Sequence, residues 1–238
     1  MWKRPAARLW VDGTLVGRTA EWAFWCGPVG LLRLEESAAA EDRVLGEGRG
    51  AARSVRVLDE MGVWRQNRHG GALAGLLDDR YAGPGRLQDE LALSEILRAQ
   101  GLPTPRPLLA LALRQGLWWR QHLVTAEIPD TETVYAARED AAAVEAAGRL
   151  LTRLYDAGLW ATDLHPGNLL WQADSGTCWV IDLAGASLRG RPLDSAERDT
   201  RTARFLRFVE KHAGGVPQGF EAALRRGLAV TAGEGPQG

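Results

Sequence analysis

The chain has 238 residues, of which 45% are hydrophobic and 25% charged, and its formal net charge is -1. These proportions are those of an ordinary soluble globular chain and argue against a generally basic nucleic-acid binder while leaving a local basic face open, and the length suffices for one bilobal domain or two small ones. Cys26 and Cys178 lie far apart without a CxxC pair, which points to two buried thiols in a reducing cytoplasm rather than to a disulfide framework or a zinc site.

The opening MWKRPAARLWVDG is positively charged but lacks the apolar stretch of a signal peptide, and no later run approaches the roughly 18 apolar residues of a membrane span. The chain is therefore expected neither to span a membrane nor to be exported. Trp2 and Trp10, interleaved with Lys3, Arg4 and Arg8, suit the packing of a first strand or helix, or contact with a membrane interface. In RVLGEGRGAARSVRVLD (43–59), two short β-type segments flank a glycine cluster, and GVWRQNR (62–68) reads as a third strand of a small meander.

GRLQDELALSEILRAQG (85–101) is predicted helical from Leu87, Leu91, Ile96 and Leu97, with Gly101 as a stop signal and Pro103 and Pro105 beyond. Residues 107–128 read as two strands joined at Gln115-Gly116, the second ending near Thr125. The alanine-rich stretch 138–158 is a helix with Val144, Ala147, Leu151 and Leu154 on one face, closed by Gly158. NLLWQ and CWVIDLA flank the turn ADSG and form a hairpin that delivers Asp182 at the end of its second strand. Two helices follow, in AERDTRTARFLRFVEKHAG and QGFEAALRRGLAV.

ATDLHPGNLL (161–170) places Asp163, His165 and Asn168 on a turn directly before the first strand of that hairpin. The hairpin can return Asp182 to the same mouth, so an amide and a carboxylate become available to a hard cation such as Mg²⁺, with Asp163 left to accept a hydroxyl proton. That division of labour belongs to kinase-type phosphoryl transfer. Such chemistry also requires a phosphate-covering loop, a strand-borne cation and a helix-borne acid. Gly46, Gly48 and Gly50 are the candidates for the loop; their spacing is not GxGxxG and no helix follows, which disfavours a dinucleotide-binding reading. The only lysines are Lys3 and Lys211, so the cation falls to Arg65, with Glu90 one turn into the next helix as its ion-pair partner.

With these residues in view, the run from 63 to 130, with its basic stretch ending in Gly-Gly, DRY, GLPTPRP and LVTAEIP, resembles the bacterial lipopolysaccharide kinases and among them the 3-deoxy-D-manno-octulosonic acid (Kdo) kinases. The later DLHPGNLL and VIDLA follow in the same order, so the resemblance covers roughly residues 43 to 210. It implies an α+β, protein-kinase-like bilobal fold with a small β-rich N-terminal lobe (1–128, nucleotide-binding) and a reduced, mainly helical C-terminal lobe (129–238). It implies phosphorylation of an inner-core sugar hydroxyl with ATP and Mg²⁺ on a lipid-linked acceptor at the cytoplasmic face of the inner membrane, without nucleic acid or an obligate protein partner. By position, Asp163 matches the catalytic aspartate, Asn168 and Asp182 the metal pair, Arg65 and Glu90 the cation and its partner, and Thr125, Glu127 and Ile128 the hinge beside adenine. Arg68 is the substitute candidate for phosphate contact, and His165 is assigned to loop packing.

The chain departs from the family pattern at Ala161, where a histidine is usual, and at Leu183 and Ala184, where an aromatic residue and a second acid are usual. The DLHPGN form also occurs in aminoglycoside-phosphotransferase-like kinases of small molecules, and a non-catalytic kinase-like envelope protein is a third reading. The 56 residues after Asp182 carry no APE-like element, which favours a small or lipid-linked hydroxyl acceptor over a protein.

Overall fold

The computed structural model describes residues 9–11, 14–15, 27–45, 52–57, 59–68 and 79–230. Gly46, Gly48, Gly50 and Cys26 lie outside the described residues. The chain divides into two compact units, Met1–Ile96 with Pro105–Glu127, and Leu97–Thr104 with Ile128–Gly238.

The first unit is built on a seven-stranded sheet. In chain order its strands are β1 (Leu9–Val11), β2 (Thr14–Leu15), β3 (Val44–Leu45), β4 (Ala52–Val57), β5 (Glu60–Gln66), β6 (Pro107–Gln115) and β7 (Trp118–Ala126). Across the sheet the order is β2-β1-β6-β7-β5-β4-β3. All neighbours are antiparallel except β1 and β6, so the expected meander appears as β3-β4-β5 and continues into β7. Leu108 to Leu113 on β6 form an unbroken buried run rather than an alternating one, because this strand lies between β1 and β7 with both faces covered. The β6–β7 hairpin turns at Gly116, whose φ of +63° is a conformation a side chain resists.

Helix α1 (Gly27–Glu41) and helix α2 (Gly85–Ala99) bring apolar residues to this sheet. Leu34 and Ala38 of α1 and Leu87 and Leu91 of α2 join Val55, Val57, Leu109, Leu111 and Val124 in one core. Each fully buried leucine contributes about 1.5–3 kcal/mol through loss of apolar surface from water.

The second unit centres on α3 (Ala141–Asp156), capped by the Asp140 carboxylate, which accepts from the Ala142 amide. Its buried face contains the expected Val144, Ala147, Leu151 and Leu154 but is wider, because α3 packs against both a sheet and another helix. The sheet is β8 (Glu132–Thr133), β10 (Leu169–Gln172) and β11 (Thr177–Val180), in the order β11-β10-β8; a separate ladder pairs β9 (Leu159–Trp160) with β12 (Ser187–Leu188). The helix is α5 (Phe220–Ala229), which crosses α3 at two glycines. A methyl group at Gly148 would stand 2.5 Å from the Leu224 carbonyl oxygen, and one at Gly227 would stand 2.1 Å from that of Glu145. Between them in sequence runs α4 (Ser195–Ala213), started by a reciprocal Asp194–Glu197 capping box and stopped at Gly214 in the left-handed region. Residues 97–104 group with this unit, where the Pro103 carbonyl accepts from the Val180 amide at 2.9 Å.

Candidate active site

The hairpin register sets the position of the candidate metal pair. Leu169 is paired with Val180, so Asn168 and Ile181 flank the same open end, and the Ile181 amide donates to the Asn168 carbonyl at 3.0 Å. Asp182 follows at once, with φ +56°; its Oδ1 accepts from the Ala184 amide at 3.3 Å, an Asx-type turn that suits this left-handed position.

The preceding loop is held by Asn168 and His165. Asn168 Nδ2 donates to the Asp163 carbonyl at 2.9 Å, which directs the amide oxygen Oδ1 away from that contact. A 3-10 turn over Pro166–Asn168 is capped by His165, whose Nδ1 accepts from the Gly167 amide at 3.1 Å. The imidazole lies flat on Phe208 of α4, with ring centroids 4.0 Å apart and planes 3° from parallel. Burial holds His165 below its ordinary pKa, opposed by the nearby Asp163 and Asp182 carboxylates. The ring accepts through one nitrogen and packs through its face against α4.

The Asp163 side chain is 71% exposed, and Arg204 of α4 reaches within 3.9 Å of its Oδ1. Its backbone carbonyl is held by Asn168 while its carboxylate is largely exposed. Ala161 and Leu183, at the departures from the family pattern, are buried. Among the described residues no trio of His, Cys, Asp or Glu side chains gathers as a metal cluster. The donor set at this loop is instead one amide oxygen and one carboxylate, which fits a hard ion that retains water and phosphate ligands.

In the first unit Arg65 forms an ion pair with Glu90, whose side chain is only 3% exposed. Asn67 supports the pair: its Oδ1 accepts from Arg65 Nη1 at 3.2 Å, and its Nδ2 lies 3.4 Å from Glu90 Oε2 and 3.3 Å from Gln121 Oε1. Gln121 in turn donates to the Gly83 carbonyl at 2.8 Å. Arg68 lies just past β5 and is exposed. At the end of β7, Thr125 pairs with Val63 and Pro107. The Glu127 carboxylate is bound by Arg43 and by the Ser54 hydroxyl, which donates at 2.9 Å, and its amide donates to the Met61 carbonyl at 3.0 Å. Glu127 thus ties Arg43, just before β3, and strands β4 and β5 to the end of β7. The Ile128 carbonyl accepts from the Thr131 hydroxyl at 3.0 Å.

The profile of the lipopolysaccharide kinase (Kdo/WaaP) family matches residues 35–212. The chain belongs to this family. It is 32% identical over 175 residues to a 3-deoxy-D-manno-octulosonic acid kinase of Xylella fastidiosa (strain M23), covering 70% of this chain and 69% of that protein. It is 36% identical over 149 residues to the kinase of the same name from Xanthomonas campestris pv. campestris (strain B100), covering 60% and 59%. Among solved structures, WaaP in complex with acyl carrier protein superposes with a TM-score of 0.50 at 18% identity, over 84% of this chain and 86% of that one. That likeness shows the protein-kinase-like fold, and both the fold and the family expected from the motifs are borne out.

Several residues of this Kdo/WaaP-family chain, each described within its own unit, are not legible in the sequence. Asn67 and Gln121 are buried polar residues 54 positions apart, and only the pairing of β5 and β7 makes them neighbours. Phe208 reads as one more apolar residue of an amphipathic helix, yet it is the stacking platform for His165. Arg204 follows Arg201 by three residues on α4, a spacing that predicts a shared face but not its Asp163 partner.

Proposed function

We propose that this chain transfers the γ-phosphate of ATP to a sugar hydroxyl of a lipid-linked acceptor of the lipopolysaccharide inner core. The observation that carries the reading is the assembly of Asp163, Asn168 and Asp182 around one loop, with Asp163 fixed through its backbone and open at its carboxylate. The names of the octulosonic acid kinases in the family support the acceptor class.

In this proposal Asp163 orients the acceptor hydroxyl and takes its proton as the oxygen attacks the γ-phosphorus, the bond to the bridging oxygen breaks, and ADP leaves. Asn168 Oδ1 and the Asp182 carboxylate would hold Mg²⁺, which neutralises phosphate charge when bound. Arg65, oriented by Glu90 and Asn67, supplies as a planar fork the cation that a lysine supplies as a point charge in other kinases. Gly46, Gly48 and Gly50 cover the phosphates, and Thr125 and Ile128 flank adenine, with Glu127 acting through its ties to Arg43 and Ser54. Residues 1–128 then serve the nucleotide and 129–238 carry the catalytic loop, the metal site and the acceptor side. The work takes place at the cytoplasmic face of the inner membrane, peripherally; among the described residues no helix is long and apolar enough to cross a membrane.

Asp163→Asn tests this assignment. The variant should bind ATP like the parent chain and lose at least about 100-fold in transfer rate, the usual contribution of a positioned general base. Undiminished turnover would remove Asp163 from the mechanism.

A further inference from the structure

Beside Asp163 the second unit gathers arginines around one indole ring. Arg189, just past β12, and Arg201 of α4 both hold their guanidinium carbons over Trp160, 4.4 and 4.2 Å from the ring centroid. Arg204 lies on the same face of α4 as Arg201 and reaches Asp163 at 3.9 Å.

Acids do not match these cations. Among the described residues Asp163 approaches only Arg204, at the outer limit of an ion pair. Glu197 lies 3.9 Å from Arg189 but is held at 2.8 and 3.1 Å by Arg191. Arg201 has a single long hydrogen bond, to the Ala161 carbonyl at 3.4 Å, while its Nε is buried with no hydrogen-bond partner among the described residues. Burial, then Arg204, Arg207 and Arg189, push its pKa below the ordinary value, and Tyr155 opposes them. A solvated basic face would let each arginine turn into water; here two are docked on an aromatic ring and one keeps a donor buried.

We propose that Arg201 and Arg204, with Arg189, hold an anionic group of the acceptor, a carboxylate or a phosphate, and so bring the acceptor hydroxyl to Asp163. The inference rests on the reading of Asp163 as the base and adds the residues that read the acceptor's charge. Guanidinium forks match both anions in two-point contact, and an incoming anion relieves the repulsion among the arginines. It also draws Arg204 away from the Asp163 carboxylate, which then faces the hydroxyl.

Three acceptors separate the sources of charge: a lipid-linked octulosonic-acid acceptor, the same molecule esterified at its sugar carboxylate, and the same molecule without its phosphates. Steady-state kinetics and calorimetric binding without ATP would be measured on the full chain and on Arg201→Gln, Arg204→Gln and Arg201→Lys, with melting midpoints to confirm folding. Both glutamine variants should raise the acceptor KM and Kd about tenfold or more, leave the KM for ATP unchanged, and abolish discrimination against whichever neutralised acceptor the parent chain binds more weakly. Arg201→Lys should restore part of the affinity. Equal binding of all three acceptors to the parent chain, or parental acceptor binding by both glutamine variants, overturns the proposal. Absence of turnover with every acceptor would instead defeat the phosphotransfer reading, and calorimetry would still decide the anion site.

Discussion

Replacing Arg65 by alanine strands a carboxylate. Glu90 is 3% exposed at its side chain, and among the described residues the other donor close to it is Asn67 Nδ2 at 3.4 Å, a long and neutral contact. Breaking a buried ion pair from one side costs about 3–5 kcal/mol. Because the Arg65 side chain is 22% exposed, the loss should fall at the lower end, about 3 kcal/mol. Glu90→Gln keeps the volume and leaves a guanidinium that water can partly reach, so about 1–2 kcal/mol is expected. Urea denaturation of the two single variants and the double variant gives the coupling, and the double should cost less than the sum because the two side chains act as a unit. In the same proteins ATP affinity should fall with either substitution, and Arg65→Lys should lie between parent and alanine, since an ammonium restores charge but not the paired contacts. Strict additivity in urea, or an Arg65→Ala chain that binds ATP like the parent, would refute the clamp. A nucleotide defect confined to Arg68→Ala would move it to that residue.

Burial, with a smaller push from Arg120 against the pull of Asp79, lowers the His122 pKa from 6.5 to about 4. The unfolded chain therefore takes up a proton in that interval that the fold rejects; stability should be full above about pH 6.5 and about 3 kcal/mol lower near pH 4. His165 shifts in the same direction, and a pH series of urea midpoints should flatten in part for His122→Gln. Gly148→Ala forces a methyl group to 2.5 Å from the Leu224 carbonyl oxygen and should cost about 3 kcal/mol by overpacking, read as a drop in melting temperature. Asp182→Ala should weaken Mg²⁺-dependent binding of a fluorescent nucleotide more than Asn168→Ala, because a carboxylate contributes charge where an amide contributes a dipole; equal or reversed losses would contradict these roles.

The sequence was most informative where structure is local. The strands around ADSG and the stop at Gly101 carry turn residues and periodicity within a few positions, and β10, β11 and α2 appear where these signals put them. The ion pair of Arg65 with Glu90 could also be anticipated, since a strand cation and a helix acid in that order have one another as natural partners. Strands β1, β2, β8, β9 and β12 could not be read, because two or three residues hold no period and only their partners define them. Helix α1 was missed because it opens with Gly27-Pro28 and Gly30, which read as turn chemistry, while its packing rests on Leu31, Leu34 and Ala38. The arginine cluster around Trp160 is assembled from β9, the end of β12 and α4, and no local pattern announces it.

The central claim is transfer of phosphate from ATP to an acceptor sugar at the loop that carries Asp163. The most direct test incubates the full chain with γ-labelled ATP, Mg²⁺ and a lipid-linked octulosonic-acid acceptor, and locates the added phosphate by mass spectrometry. Label on a hydroxyl of the acceptor sugar, absent with Asp163→Asn, is the predicted result. ATP binding without label on any acceptor sugar, or label that persists undiminished in Asp163→Asn, would contradict it.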